Sequence, residues 1–194
     1  VARPRTFDED AALDAAMAQF WRHGYAGTSI ADLVEATGVN RYSLYASWGD
    51  KRGLFLAALA RYGATMAGGP VHTLASGGVA GIRTYFHTLA AWVHDDATKL
   101  GCFTVNSIVD VAGADDDARA VVRHNLDLVR SAFVVALTGA VDQGELPLDT
   151  DVDAHADHLA VSIQAVLLQA RSGASRQTLD HFVQLTLSTL PESP

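Results

Sequence analysis

The sequence predicts an all-α protein of about nine helices. Three observations carry that reading. The prolines, at Pro4, Pro70, Pro147, Pro191 and Pro194, fall at or near segment ends and never inside a long periodic run. Alternating apolar and polar runs are scarce, and no Asn-Gly or Asp-Gly hairpin signal occurs. Apolar residues recur instead at three- and four-residue spacing along most of the chain.

The first helix is expected from about Asp8 to His23, with Asp8, Glu9 and Asp10 at its positive end and Gly24 after its last turn. Ala12, Ala16 and Phe20 give it an apolar stripe. Thr28 or Ser29 can cap a short second helix, Ile30 to Ala36, which Thr37-Gly38-Val39 interrupts. A third helix spans about Arg41 to Trp48 and closes at Gly49. Asp50 caps a fourth, which carries Leu54, Phe55, Ala58, Leu59 and Tyr62. Gly68-Gly69-Pro70 and Ser76-Gly77-Gly78 then read as a flexible boundary. Four longer patterns follow: Val79 to His94, Asp115 to Gln143, Asp151 to Arg171 and Ser175 to Leu190. A kinked short helix is expected around residues 101–109. Residues 1–52 are thus expected as a head and 53–194 as a body, linked by the helix at about 50–67.

Composition narrows the function classes. With 49% hydrophobic residues among 194, the chain can bury a real core and is no low-complexity tract. The single cysteine, Cys102, forms no internal disulfide. Apolar runs are broken by Asp, Arg, His or Gln well short of the roughly 18 residues a membrane span needs. The opening VARPRTFDEDAALD has no apolar core of a signal peptide, so a soluble cytoplasmic protein is expected. The net charge of −8 is uneven: residues 1–52 hold six basic and seven acidic side chains, the rest eight and fifteen. A near-neutral head containing Arg3, Arg5, Arg41 and Lys51 on an acidic body is compatible with nucleic-acid binding by the head.

Residues 28–48 form a short helix, a glycine turn and a second short helix, the layout of a helix-turn-helix. Val39 is expected to fill the gap between the two. The second helix then presents Asn40, Arg41, Tyr42 and Ser43 from its N-terminal end, where recognition helices meet base edges. Arginine pairs bidentately with guanine and asparagine with adenine.

The run GYAGTSIADLVEATGVNRYSLYASWGDKRGLF, residues 24–55, resembles the DNA-binding domain of the tetracycline-repressor-like (TetR) family of bacterial transcriptional regulators. The matching pieces are Gly24-Tyr25, Thr28, Ile30-Ala31, Ala36-Thr37-Gly38-Val39, Ser43-Leu44-Tyr45, Trp48, Lys51 and Leu54-Phe55. Ser47 stands where many relatives carry a histidine. The resemblance implies a ligand-responsive repressor, a homodimer on a palindromic double-stranded DNA operator, released by a small-molecule effector and needing no cofactor or membrane. It implies that Thr28 caps the second helix and touches phosphate, that Tyr45 and Lys51 contact the DNA backbone, and that Arg41 and Tyr42 are the main base readers, with Asn40 and Ser43 secondary.

The resemblance also implies a dimer interface from the last two helices. Leu159, Ile163, Val166, Leu167 and Ala170 are expected on one, and Leu179, Phe182, Val183 and Leu190 on the other. For an effector pocket, the mixed apolar and polar groups of the central helices are the candidates. Tyr85, Phe86, Leu89 and Trp92 come from one helix, and Cys102, Phe103 and Asn106 from the kinked piece. Asn125, Leu128 and Phe133 come from the long helix, and Gln164 from the next. Two other readings centre on Cys102. Near Lys99 it could sense oxidants or electrophiles, and paired with His124 it could serve a helical enzyme. No phosphate loop, nucleophile elbow or metalloprotease signature is present.

Overall fold

Each head helix begins on a side-chain cap, which is why these short segments are helical at all. In the computed structural model, which describes residues 7–75, 77–95 and 100–191, helix α1 is Glu9–His23, α2 Ile30–Thr37, α3 Arg41–Trp48 and α4 Lys51–Met66. Asp8 accepts the Ala11 N–H at 3.1 Å, Asn40 the Ser43 N–H at 3.0 Å, and Asp50 the Gly53 N–H at 2.8 Å. Such caps contribute about 1 kcal/mol each. Of the two expected caps for α2, Ser29 takes the role, in a reciprocal capping box with Asp32. Thr28 does not cap. Its side chain is buried, and its hydroxyl donates to the Gly24 carbonyl at 2.7 Å. Arg3, Arg5 and Lys99 lie outside the described residues.

The body follows as α5 His72–Ala75, α6 Gly78–Asp95, α7 Phe103–Ser107, α8 Asp116–Asp142, α9 Val152–Arg171 and α10 Arg176–Leu187. Among the described residues there is no strand, and the one-turn α5 apart, the helices number nine. The expected flexible boundary at Gly68-Gly69-Pro70 is instead wound: residues 67–71 form a wide π-turn, non-helical only at Gly69, and Val71 and Leu74 anchor it in the body core. A second π-turn, Ile108–Ala112, follows α7 and is the expected kink. Helix α10 stops at Leu187 rather than Leu190. Residues 188–190 form a turn, and Leu190 packs into the core.

Two apolar cores result. The head core gathers Phe20, Leu33, Val39, Leu44 and the inner face of α4, and it recruits Phe103, Ala112 and Val122 from the body. The body core is built on α8, with α6 and α9 packed on it and α10 against α6 and α9. Helix α4 touches both parts, packing on α1 and on α8. A head boundary at residue 52 therefore falls in the first turn of a helix whose later residues still complete the head core.

The approach of α4 to α8 depends on Gly63, where an added Cβ would collide with the Asn125 carboxamide. Helix propensity alone favours Gly63→Ala by about 1 kcal/mol. Overpacking reverses the sign, with an expected net loss of about 1–3 kcal/mol. Chemical denaturation checks this, since an unchanged or raised midpoint contradicts the close approach.

Candidate functional site

The turn between α2 and α3 is fixed by local bonds. Thr37 donates its hydroxyl to the Leu33 carbonyl at 2.7 Å and accepts the Val39 N–H at 3.2 Å. Gly38 takes the left-handed conformation at φ 67°, and Val39 buries between the helices as expected. Leu44 points into the core, and the start of α3 faces outward. There Arg41 and Tyr42 are exposed, Tyr42 by 85%, an unusual exposure for an aromatic side chain. The Arg41 guanidinium lies 5.1 Å from the Tyr45 ring, so these two form one surface unit. Ser43 is half-buried, and the Asn40 carbonyl oxygen is engaged as the α3 cap.

Lys51 opens α4 and holds its ammonium 4.3 Å from the Tyr25 ring. A cation at the positive end of a helix is disfavoured unless an anion joins it; the cap Asp50 supplies one carboxylate there, and the first turn of α4 adds no acidic residue. Thr28 is 1% exposed and is not presented to a DNA backbone. Ser47 donates to Glu9 at 2.5 Å and ties α3 to α1.

The body contains a cavity of about 560 Å³. Of the expected pocket residues, Tyr85, Leu89, Trp92, Cys102, Asn125 and Gln164 line it. Phe86, Phe103 and Phe133 do not. Phe86 stacks on Phe133 at 6.0 Å in the body core, and Phe103 sits edge-on to Phe55 and Tyr62 in the head core. Asn106 instead donates to the Leu100 carbonyl, and Leu128 is outside the lining. Sequence reasoning missed Tyr62, Gly63 and Met66, which α4 contributes to the wall, as well as Thr84, Thr88, Thr104 and Leu126. The α6 members could have been found from the stripe Gly81, Tyr85, Thr88 and Trp92.

Asn125 joins the cavity to the head. Its amide nitrogen donates to the Leu59 carbonyl of α4 at 3.0 Å and to Thr104 at 3.2 Å. Cys102 is half-buried in the wall, with the Tyr62 hydroxyl donating to its sulfur at 3.5 Å. His124 is exposed and outside the lining, so the structure does not bring it together with Cys102. Among the described residues no three metal-ligating side chains cluster, and no helix is long and apolar enough to cross a membrane.

The expected interface residues are also corrected. Leu159, Ile163, Val166, Leu167, Leu179, Val183 and Leu190 are all buried inside their own protomer, and Ala170 packs against the same core. Of these residues only Phe182 is exposed, and Val161 and Leu168 of α9 and Leu185 of α10 are exposed as well.

A family model described as bacterial regulatory proteins, tetR family, matches residues 12–58, and one described as tetracyclin repressor-like, C-terminal domain, matches residues 78–186. The chain belongs to the TetR family. It is a DNA-binding transcriptional regulator. It is 35% identical over 193 residues to the HTH-type transcriptional repressor ComR of Escherichia coli (strain K12), covering 98% of this chain and 92% of that one. The uncharacterized HTH-type transcriptional regulator YezE of Bacillus subtilis (strain 168) is 31% identical, with 98% and 100% covered. Among solved structures, a cysteine mutant of the TetR family regulator CifR complexed with 26-bp double-strand operator DNA superposes with a TM-score of 0.78, at 29% identity, covering 98% of this chain and 100% of that one.

Three carboxylates fasten this TetR-type head to its body. Asp110, in the turn after α7, accepts the Tyr25 N–H at 2.5 Å. Asp115, which caps α8, takes a two-pronged contact from Arg52 at 2.5 and 2.7 Å, and Asp117 adds a third bond to the same guanidinium. Hydrogen bonding to Arg52, helped by the Ala118 N–H, lowers the Asp115 carboxyl to about 2. A depressed carboxyl stabilises the fold above its unfolded value near 3.8, and that contribution disappears as the pH falls through the folded value. The head–body junction should therefore loosen between about pH 4 and 2. Hydrogen exchange of the α4 and α8 amides at stepped pH checks this. Asp115→Asn keeps an acceptor for the cap and should flatten the acid response; an unaltered response contradicts the assignment.

Proposed function

We propose that the protein is a homodimeric repressor of the cytoplasm that reads a near-palindromic operator with the first turns of its two α3 helices and leaves it when a small molecule occupies the body cavity. The observation that carries the reading is the outward pair Arg41 and Tyr42, fixed by the Gly38 turn on a head whose α4 also forms the cavity wall. Arg41 and Tyr42 would reach base edges, and Lys51 with Tyr45 would hold phosphates. Residues 1–52 would supply the reading surface and 53–194 the sensing and pairing body. The repressor ComR, similar over nearly the whole chain, supports the sign of the regulation.

One short recognition helix reads only a few base pairs, so two heads set roughly 34–36 Å apart are needed for a specific site. Val161, Leu168, Phe182 and Leu185 form an apolar outer face on α9 and α10 suited to pairing. Leu185→Glu, at a side chain 69% exposed, should convert the dimer to a folded monomer in sedimentation; an unchanged dimer removes this face from the interface.

Selection of bound duplexes from a random pool tests the reading directly. The wild type should enrich an inverted repeat. Arg41→Ala should relax the preference at one position of each half-site, costing roughly 1–3 kcal/mol. Lys51→Ala should weaken all sequences alike and reduce the dependence of affinity on salt. Failure to enrich any sequence at low salt would overturn the proposal.

A further inference from the structure

The walls of the body cavity have a consistent chemistry. Charged residues make up 19% of the chain, yet none of the described lining residues is Asp, Glu, Lys, Arg or His. Its apolar surface comes from Met66 of α4, Leu89 and Trp92 of α6, Leu126 and Val129 of α8 and Ile163 of α9. An ion bound there would give up its hydration without meeting a counter-charge, which is heavily penalised. The neighbouring phenols respond to the same surroundings. Burial pushes the Tyr85 hydroxyl up to about 12 and raises the Tyr62 hydroxyl as well.

Some polar groups of the wall are already engaged. Tyr62, Thr104 and the Asn125 amide nitrogen are spent on hydrogen bonds within the protein. The Tyr85 hydroxyl and the Gln164 carboxamide make no hydrogen bond with any described residue. Both can donate and accept, so they meet a hydroxyl, a carbonyl or an amide equally well. The ring of Tyr85 is meanwhile fixed edge-on to Phe86 and Phe133, which holds its hydroxyl in place. The volume, about 560 Å³, falls in the usual range for pockets that enclose organic ligands.

We infer that this cavity selects an uncharged, largely apolar organic molecule bearing a hydroxyl, carbonyl or amide group, which Tyr85 and Gln164 bind. The inference rests on the effector reading above and supplies the effector's chemical class. Carboxylates and ammonium compounds of the same shape are excluded by desolvation.

Phenylbutanol, phenylbutyrate and protonated phenylbutylamine share one size and differ in charge, so they are suitable probes. Calorimetric titration of the full chain at neutral pH should give binding of the alcohol more than about tenfold tighter than that of either ion. Tyr85→Phe retains the ring and should weaken the alcohol by about threefold to tenfold. Thr88→Lys places a cation at an exposed wall position and should bring phenylbutyrate to measurable binding while leaving the amine excluded. The inference is overturned if either ion binds the wild type as well as the alcohol does. No alcohol binding at millimolar concentration overturns it too, as do affinities that neither substitution alters. The operator selected above separates this from the reading it rests on. If phenylbutanol binds as expected yet leaves operator affinity unchanged, the effector role fails and the cavity's ligand class stands.

Discussion

Helix α4 must satisfy two cores at once, and the rest of the molecule is arranged around that demand. Leu54, Phe55, Ala58 and Leu59 bury themselves in the head, while farther along the same helix Gly63 lies against Asn125 of α8. A helix is stiff over four turns, so a displacement imposed at its body end is delivered to its head end. The body answers by sending Phe103 into the head core, edge-on to Phe55 and Tyr62 at 5.7 and 5.9 Å. Close-packed interfaces of this kind tend to have discrete arrangements instead of deforming continuously.

The cavity lies along the seam between the two cores. Tyr62 belongs to the head cluster, Ile163 and Leu167 to the body cluster, and Cys102 packs against both. A molecule that fills this seam acts on the orientation of α4 only to the extent that it binds one arrangement better than the other. Asn125 gives that difference a physical handle. Its amide nitrogen holds the Leu59 carbonyl, and its oxygen is buried without a partner beneath Gly63. An orphaned acceptor costs about 1–3 kcal/mol. The observed arrangement of α4 and α8 therefore contains a local penalty, and coupling energies of 1–3 kcal/mol are typical of allosteric proteins.

The head was legible from sequence because its signals are local. Asp8 and Asp50 cap the helices they precede, and Gly24, Gly38 and Gly49 end α1, α2 and α3 at positive φ. The exception, Thr28, was misread because a threonine and a serine side by side are equivalent as caps until tertiary packing buries one. In the body, periodicity reveals that a helix has an apolar stripe but not what covers it. The stripe through Leu159, Ile163 and Val166 faces its own core, so the outer face had to be read from exposure. The aromatics divide by the same logic: Tyr85 reaches the cavity, whereas Phe86, next to it and 100° around the helix, does not. The glycines at 68 and 69 suggested a hinge because no sequence rule states that Val71 and Leu74 will pin the turn.

Net charge misleads for a related reason. The head is close to neutral by count, which says little about a surface that must meet a polyanion. Arg61 is held by Asp10 and Asp14 of α1, and Arg52 by Asp115 and Asp117 of α8. These pairs spend two cations on fastening α4 to its neighbours, and they consume carboxylates that would otherwise repel phosphate. Arg41 and Lys51 form no ion pair among the described residues, and each opens a helix whose first turn has no acidic side chain. Among those residues their charge is not cancelled by an ion pair. An acidic protein can thus bind a polyanion because its basic residues are sorted by partner, and that sorting follows from which helices α4 has to hold together.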